Sequence, residues 1–147
     1  MLTTWTVEAG RCRVREGAIS DITAALPESA RESAAEVAGT ENLRRAVWID
    51  LLNPTADEER AVQNALQLEI PTREEMQEIE SSSRLYREDD VLFLTANFLY
   101  GVDSGDYGST PISFVLTNST LVTVRYATPR AFTAFGTRAQ RQPALLQ

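Results

Sequence analysis

The pattern of apolar and polar positions is clearest in residues 45–84, around which the rest of the chain is arranged. Residues 46–52 read AVWIDLL, an apolar run that predicts a buried strand ending in a turn at Asn53. Thr55 and, three positions later, Glu58 have the spacing of a capping box, so a helix is predicted to begin there. The apolar residues that follow at helical spacing are Val62, Ala65 and Leu66.

A second helix is predicted directly after the first. Thr72 and Glu75 repeat the capping-box spacing, and Met76 and Ile79 supply the apolar side. The three serines at residues 81–83 mark the end of this helix, because helix propensity falls there.

The N-terminal residues predict a hairpin followed by a helix. Residues 2–7 and 11–14 are short extended segments. Trp5 faces inward in the first, and three arginines alternate with smaller residues in the second, as in an edge strand. Residues 18–39 are rich in Ala, Glu and Ser, and a surface helix that ends at Gly39 is expected there.

The C-terminal half predicts four strands and a helix. A short strand at residues 84–87 leads through an acidic turn to residues 91–100, whose continuous apolar character predicts a strand covered on both faces. After a polar loop, residues 112–117 and 120–126 predict a hairpin. The last helix is expected to begin near Thr128.

This order of elements predicts a mixed α/β fold. Helices grouped around such a set of strands give a three-layer α/β/α domain with a central sheet of parallel and antiparallel strands. A chain of 147 residues suits one domain, so residues 1–147 are interpreted as a single domain.

The residue types that the chain lacks exclude several kinds of chemistry. It has no histidine, and all 14 cationic side chains are arginines. Histidine-activated nucleophiles, imidazole metal ligands and lysine-dependent sites are therefore excluded within this sequence. Paired carboxylates could serve glycoside hydrolysis, but Trp5 and Trp48, which could form the walls of a sugar cleft, fall in predicted core strands. We therefore expect that the chain is not an enzyme.

Charge is unevenly distributed along the chain. The net charge is −7, yet residues 107–147 contain four arginines and no acidic residue. The acidic body should repel nucleic acid and tolerate divalent cations, although ordinary solubility explains the same charge. No apolar run reaches the roughly 20 residues of a membrane span, and the single Cys12 fits a reducing compartment. Because Leu145 and Leu146 are apolar and no stop signal follows, the chain is expected to be cut before its natural end.

The central stretch resembles the cytoplasmic N-terminal domain of the CorA family, the magnesium and cobalt channels of the inner membrane. The resemblance is strong over residues 46–84, looser from about residue 2 to the C-terminus, and weak over residues 19–43. Besides the AVWIDL run, the residues that carry it are Thr72, Arg73, Glu75, Ile79, Glu80, Ser82 and Arg84.

The resemblance implies a regulatory domain, truncated before a long stalk helix and two membrane helices. It implies a full-length protein that lies at the cytoplasmic face of the inner membrane and assembles as a homo-pentamer, with neighbouring subunits as its partners. The pore lies outside residues 1–147, which lack the family's Gly-Met-Asn sequence. Two alternatives remain open: the related zinc-transporting branch, and a free-standing cytosolic binding or scaffold module.

The resemblance also implies a weak regulatory site for Mg²⁺ or Co²⁺, to which this chain would contribute Glu74 and Glu75 as half of the ligands. Their position at a helix start offers another explanation, because Glu75 completes the capping box and the helix dipole favours Glu74. Asp89 and Asp90, in the acidic turn before residue 91, are weaker candidates that a solvated turn explains equally well.

Overall fold

A computed structural model describes residues 1–17, 39–78 and 84–146. These residues form one seven-stranded sheet with helices on both faces. The strands are β1 (Leu2–Glu8), β2 (Arg11–Glu16), β3 (Trp48–Leu52), β4 (Leu85–Glu88), β5 (Val91–Tyr100), β6 (Gly108–Leu116) and β7 (Leu121–Arg125). The helices are α1, described over residues 39–45, α2 (Ala56–Leu66), α3 (Arg73–Glu78) and α4 (Arg130–Arg141), with 3₁₀ turns at Val102–Ser104 and Pro143–Leu146.

The strand order across the sheet is β2-β1-β3-β7-β6-β5-β4. β3 pairs with β7 in parallel, and the other five strand pairs are antiparallel. The predicted mixed sheet is therefore confirmed, and the parallel pair lies near its centre.

The helix after β3 begins where the capping box predicts. The Glu58 amide donates to Thr55 Oγ1 at 3.2 Å, and Glu58 Oε2 accepts from the Thr55 amide at 3.0 Å. The helix ends at Gln67, which adopts a left-handed conformation with φ of 55°. These contacts satisfy backbone groups that a helix end otherwise leaves without partners.

One face of the sheet packs against α2 and α3. Ile49 and Leu51 of β3 are fully buried beside Val62 of α2 and Met76 of α3. Valines of β6 and β7 complete this core, which also contains Phe93 of β5. Each such aliphatic side chain contributes about 1.5–3 kcal/mol when it leaves water, so this face holds much of the fold's stability.

The opposite face is covered in part by α4. Trp5 and Trp48, neighbours on β1 and β3, stack with ring centroids 4.0 Å apart. Phe135 of α4 meets Trp48 edge-on at 5.5 Å, and Phe132 lies 6.3 Å from Phe114 of β6. Helices thus lie on both faces, and the predicted three-layer arrangement is confirmed.

Two expectations from the sequence are wrong. β5 is not covered on both faces: Phe93 and Thr95 are buried, but Leu92 and Leu94, which point the other way, are exposed. Gly39 does not end a helix, because residues 39–45 are helical and continue to the turn before β3. The remainder of the helix predicted over residues 18–39 lies outside the described residues.

Candidate functional site

The candidate metal ligands Glu74 and Glu75 lie in the first turn of α3. Glu75 completes the second capping box: its amide donates to Thr72 Oγ1 at 3.3 Å, and its Oε2 accepts from the Thr72 amide at 2.8 Å. The Thr72 hydroxyl lies 3.0 Å from the same carboxylate oxygen. Thr72 therefore determines where Glu75 points, and capping accounts for the position of this side chain.

Glu74 acts electrostatically on a residue of α2. Burial raises the pKa of Glu59, and the negative charge of Glu74 raises it further. The Arg73 guanidinium lies 4.7 Å from the centre of the Tyr126 ring. Burial raises the pKa of Tyr126, and the charges of Glu59 and Glu74 also act to raise it while that of Arg73 acts to lower it. The charge of Glu74 thus acts on a second carboxylate, that of Glu59, whereas Glu75 does not contribute to the pKa shift of Glu59.

Glu75 instead faces an open pocket of about 840 Å³ beside α3 and β4. Tyr86 and Phe93 line part of this pocket and stack with ring centroids 4.8 Å apart. Burial raises the pKa of Tyr86, and the charges of Glu88 and Glu75 raise it further. The acidic residues that line the pocket are Glu69, Glu75, Glu78, Glu88 and Asp89.

The weaker candidates Asp89 and Asp90 lie in the tight turn between β4 and β5. Arg87 Nη2 donates to Asp90 Oδ1 at 2.7 Å, so the charge of Asp90 is already balanced. Arg87 Nε also donates to the Asp89 carbonyl, and Asp89 has a φ of 49°. The turn thus uses Asp90 for its own ion pair, while Asp89 is one of the residues that line the pocket.

The four predicted ligands do not converge on one point. In the described ranges 1–17, 39–78 and 84–146, no group of three or more acidic or cysteine side chains is placed to hold a metal ion. A Mg²⁺ site that keeps several waters needs only one or two carboxylates. The arrangement is therefore compatible with a partial site that requires ligands from elsewhere.

A buried ion pair between β3 and β7 escaped the sequence analysis. Asp50 and Arg125 are only 2% and 6% exposed, and Arg125 Nη2 donates to Asp50 Oδ2 at 2.7 Å. Thr123 Oγ1 donates to Asp50 Oδ1 at 2.6 Å and accepts from the Trp48 indole at 3.0 Å. The sequence did contain one indication of this ion pair, because Asp50 interrupts the apolar run of β3. Since its hydrogen bonds are satisfied within the protein, this cluster stabilises the fold and is not a ligand site.

The Arg125 side chain also connects this ion pair to α4. Its Nη1 donates to the Ala127 carbonyl at 2.9 Å, and its guanidinium lies 4.7 Å from the ring centre of Phe132. The start of α4 is thereby held against the ends of the two parallel strands.

Comparison with known families tests the resemblance in the central stretch. The sequence profile described as "CorA-like Mg2+ transporter protein" matches residues 44–146, more than two-thirds of the chain. The chain belongs to the CorA-like Mg²⁺ transporter family. The matched range includes α2, α3, the acidic pocket and α4.

Individual CorA proteins agree with this assignment. The magnesium transport protein CorA of Escherichia coli K12 is 33% identical over 115 residues, which are 78% of this chain and 36% of that protein. Its counterpart in Pectobacterium atrosepticum is 29% identical over the same shares of both chains. This chain therefore spans little more than a third of the length of these relatives.

A solved structure supports the fold of the CorA-like domain. The complete structure of the CorA magnesium transporter from Methanocaldococcus jannaschii superposes with a TM-score of 0.57 at 8% identity, covering 98% of this chain and 38% of the transporter chain. Within the described residues, no helix is long and apolar enough to cross a membrane.

Proposed function

We propose that this chain is the divalent-cation-sensing regulatory domain of a longer CorA-type magnesium and cobalt transporter. The observation that carries the proposal is the family match over residues 44–146. The relatives are transporters by name and about three times as long as the matched region. The ion path then belongs to the remaining length of the protein, and these residues have no catalytic role.

The sensing role is assigned to α3. Glu74 is the better of the two candidate ligands, because Glu59 lies close enough to it to feel its charge, whereas Glu75 is held by Thr72. Two nearby carboxylates with several waters can hold Mg²⁺ or Co²⁺ weakly, and acids from a neighbouring subunit would complete the shell. Binding at such a shared site favours whichever assembly brings both halves together.

The test uses the full-length protein in membrane vesicles. Mg²⁺ uptake is measured as internal Mg²⁺ rises, for the wild type, Glu74→Gln and Glu75→Gln. Glutamine at position 75 preserves the capping box, so a loss of inhibition in that variant reports on metal and not on helix formation. Asp57→Asn is the control, since Asp57 lies on α2 with a side chain 90% exposed.

We expect Glu74→Gln to require severalfold more internal Mg²⁺ for the same inhibition, with uptake in low Mg²⁺ unchanged. Inhibition curves that coincide for all four proteins would reject the sensing role. Uptake of Zn²⁺ in place of Mg²⁺ and Co²⁺ would assign the protein to the zinc-transporting branch. Failure of the full-length protein to move any of these ions would favour a binding or scaffold module.

The proposal also fixes partners and location. A transporter of this type places the domain at the cytoplasmic face of the inner membrane, in a homo-pentamer whose neighbouring subunits are its partners. Nucleic acid is not expected to bind. The chain has a net charge of −7, and its acidic residues, which all lie in residues 1–106, repel the phosphate backbone. The mass of the detergent-solubilised protein by light scattering tests the pentamer, and a monomer would contradict it.

A further inference from the structure

The pocket beside α3 and β4 has a buried floor that is mostly apolar. Ile70, Phe93 and Thr95 line it and are only 7%, 8% and 4% exposed. Tyr86 pairs with Phe93 across β4 and β5, so the two stacked rings share one face of the sheet. The pocket volume of about 840 Å³ lies within the roughly 300–1,000 Å³ of small-molecule sites. The pocket therefore has the size and the floor of a ligand site.

The rim of the same pocket is acidic and comes from three parts of the fold. Glu69 belongs to the connection between α2 and α3, Glu75 and Glu78 belong to α3, and Glu88 and Asp89 lie at the turn between β4 and β5. All five side chains are exposed, and no arginine is among the lining residues that the structure describes. The rim thus surrounds the apolar floor with charge of one sign.

The charge of the rim is not balanced within the protein. In the part of the chain that the structure describes, the ion pairs use other acids, and none of the five rim carboxylates is paired with an arginine. Burial raises the pKa of Tyr86, and the charges of Glu88 and Glu75 raise it further, so the negative potential extends to the aromatic rings. A cleft lined by one sign of charge concentrates ions of the opposite sign. The ligand expected here is a cation.

The arrangement of the rim favours a cation with several separate charges. Among the described residues, no three acidic or cysteine side chains converge to hold a metal ion, and the rim acids come from different elements. A ligand with ammonium groups held apart by methylene chains matches this pattern, because each charge can meet a different carboxylate. The methylenes can lie on the apolar floor, and an ammonium group is attracted to the face of an aromatic ring such as Tyr86.

We propose that this pocket binds a linear aliphatic polyamine, with its ammonium groups at the acidic rim and its methylene chain on the floor. A lysine-bearing protein segment offers the same ammonium groups, but its backbone amides would lose water against an apolar floor. The Thr95 hydroxyl on that floor is already hydrogen-bonded to Ser113 at 2.7 Å. The free polyamine is therefore the better match. Neither Glu74 nor the transporter assignment enters this argument, so the proposal stands apart from metal sensing.

The experiment measures the binding of spermidine, an aliphatic triamine, to residues 1–147 by isothermal titration calorimetry. The buffer contains about 150 mM NaCl, so that nonspecific attraction between exposed charges is screened. Butylamine supplies a single ammonium group, and a tetralysine peptide represents a protein segment. Shifts of the backbone amides in ¹H–¹⁵N spectra locate the ligand. Ile70 and Thr95 report on the pocket, and Val14 of β2 reports on the opposite edge of the sheet.

Two pocket variants are compared with a matched control. The double variant Glu78→Gln with Glu88→Gln removes two rim charges and leaves Glu75 to cap α3. Asp57→Asn with Glu16→Gln removes the same charge from exposed positions that do not line the pocket. Tyr86→Leu keeps an apolar side chain and removes the aromatic face. Thermal melts by circular dichroism verify that each variant is folded.

We expect one spermidine to bind per chain and to shift the amides of Ile70 and Thr95 but not that of Val14. The Glu78 and Glu88 double variant should bind at least about fivefold more weakly, since two rim charges are lost. Tyr86→Leu should bind roughly two- to fivefold more weakly, since the cation loses the aromatic face. The control should bind as the wild type does.

Several results would overturn the proposal. Equal weakening in the pocket variant and the control would reduce the effect to net charge. Butylamine that binds as tightly as spermidine would exclude a site for several separate charges. Tighter binding of the tetralysine peptide than of spermidine would make the occupant a protein segment. Spermidine that leaves the amides of Ile70 and Thr95 unshifted would place any binding outside the pocket.

Discussion

Asp50 and Arg125 show how much depends on a single buried charge. The carboxylate accepts from the Arg125 guanidinium and from Thr123, so it has several partners in a region from which water is excluded. Asp50→Ala leaves the Arg125 charge buried without its counterion, and we expect a loss of roughly 3–5 kcal/mol in unfolding free energy.

The double variant distinguishes a buried charge from simple loss of packing. Adding Arg125→Met to Asp50→Ala should recover part of the lost stability, because no unpaired charge then remains. Asp57→Ala is the control, with an exposed ion pair to Arg60, and should cost less than about 1 kcal/mol. Urea denaturation measures the wild type, the two single variants Asp50→Ala and Arg125→Met, the double variant and Asp57→Ala. A double variant less stable than Asp50→Ala by the full cost of Arg125→Met would contradict the interpretation.

A second single residue, Glu58, makes a contribution to the unfolding free energy that depends on pH. Burial favours a higher pKa for Glu58, but hydrogen bonds from the Thr55 amide and the N-terminal ammonium, together with the ammonium charge, bring the pKa below its ordinary value. Its carboxylate lies 3.0 Å from the Met1 nitrogen. Since the folded pKa is lowered, the stabilisation is present above the ordinary pKa and is lost as pH falls through the folded value.

The prediction is that Glu58→Gln reduces stability near neutral pH and flattens its decline in acid. Glutamine keeps the capping geometry, so the difference between the two proteins should shrink as pH falls from about 6 to about 3. Unfolding free energies by urea titration across this range measure the effect. A constant difference at every pH would show that the charge of Glu58 is irrelevant.

Among the elements, α4 contains a glycine that the packing does not require. Gly136 is helical, and a Cβ placed on it would meet Trp5 Cζ2 at 3.7 Å, an ordinary contact distance. Gly136→Ala should therefore raise the unfolding free energy by roughly 0.5–1 kcal/mol, because alanine loses less backbone entropy in a helix. Thermal melts measure it. A lower melting temperature would mean that Trp5 cannot accommodate even a methyl group.

The helix starts were predictable from the sequence, and the exposure of β5 was not. Thr55 with Glu58, and Thr72 with Glu75, act on backbone groups three residues away, so the capping contacts follow from local spacing. Exposure along β5 depends instead on how far α4 extends over the sheet. An apolar run has the same composition whether or not its covering helix is present.

For the whole molecule, the order and layering of elements followed from the sequence, but the pairing of distant strands did not. The parallel pairing of β3 with β7 joins residues more than 70 positions apart and creates the contact between Asp50 and Arg125. The residues of each strand alone do not determine which residue of the other strand they pair with. That Glu74 and Glu75 point apart follows from helix geometry alone. Which groups lie near each of them depends on how the other elements pack around α3, and that could not be predicted from the sequence.

The charge of the whole molecule leads to the last prediction, which concerns Mg²⁺ and the isolated chain. With a net charge of −7, any salt should stabilise the fold by screening repulsion. The half-site proposed near Glu59 and Glu74 would add specific Mg²⁺ binding to this effect. For a half-site with a Kd of about 1 mM, the gain at about 10 mM MgCl₂ is roughly 1.4 kcal/mol beyond screening.

Thermal melts in about 10 mM MgCl₂ and in NaCl of equal ionic strength, about 30 mM, separate binding from screening. We expect the larger gain in MgCl₂, and we expect Glu74→Gln to remove the excess while Asp57→Asn keeps it. Equal gains in the two salts would leave screening as the whole effect. An excess retained in Glu74→Gln but lost in Glu75→Gln would move the site to the pocket beside Tyr86, because Glu75 faces that pocket while Glu74 faces Glu59.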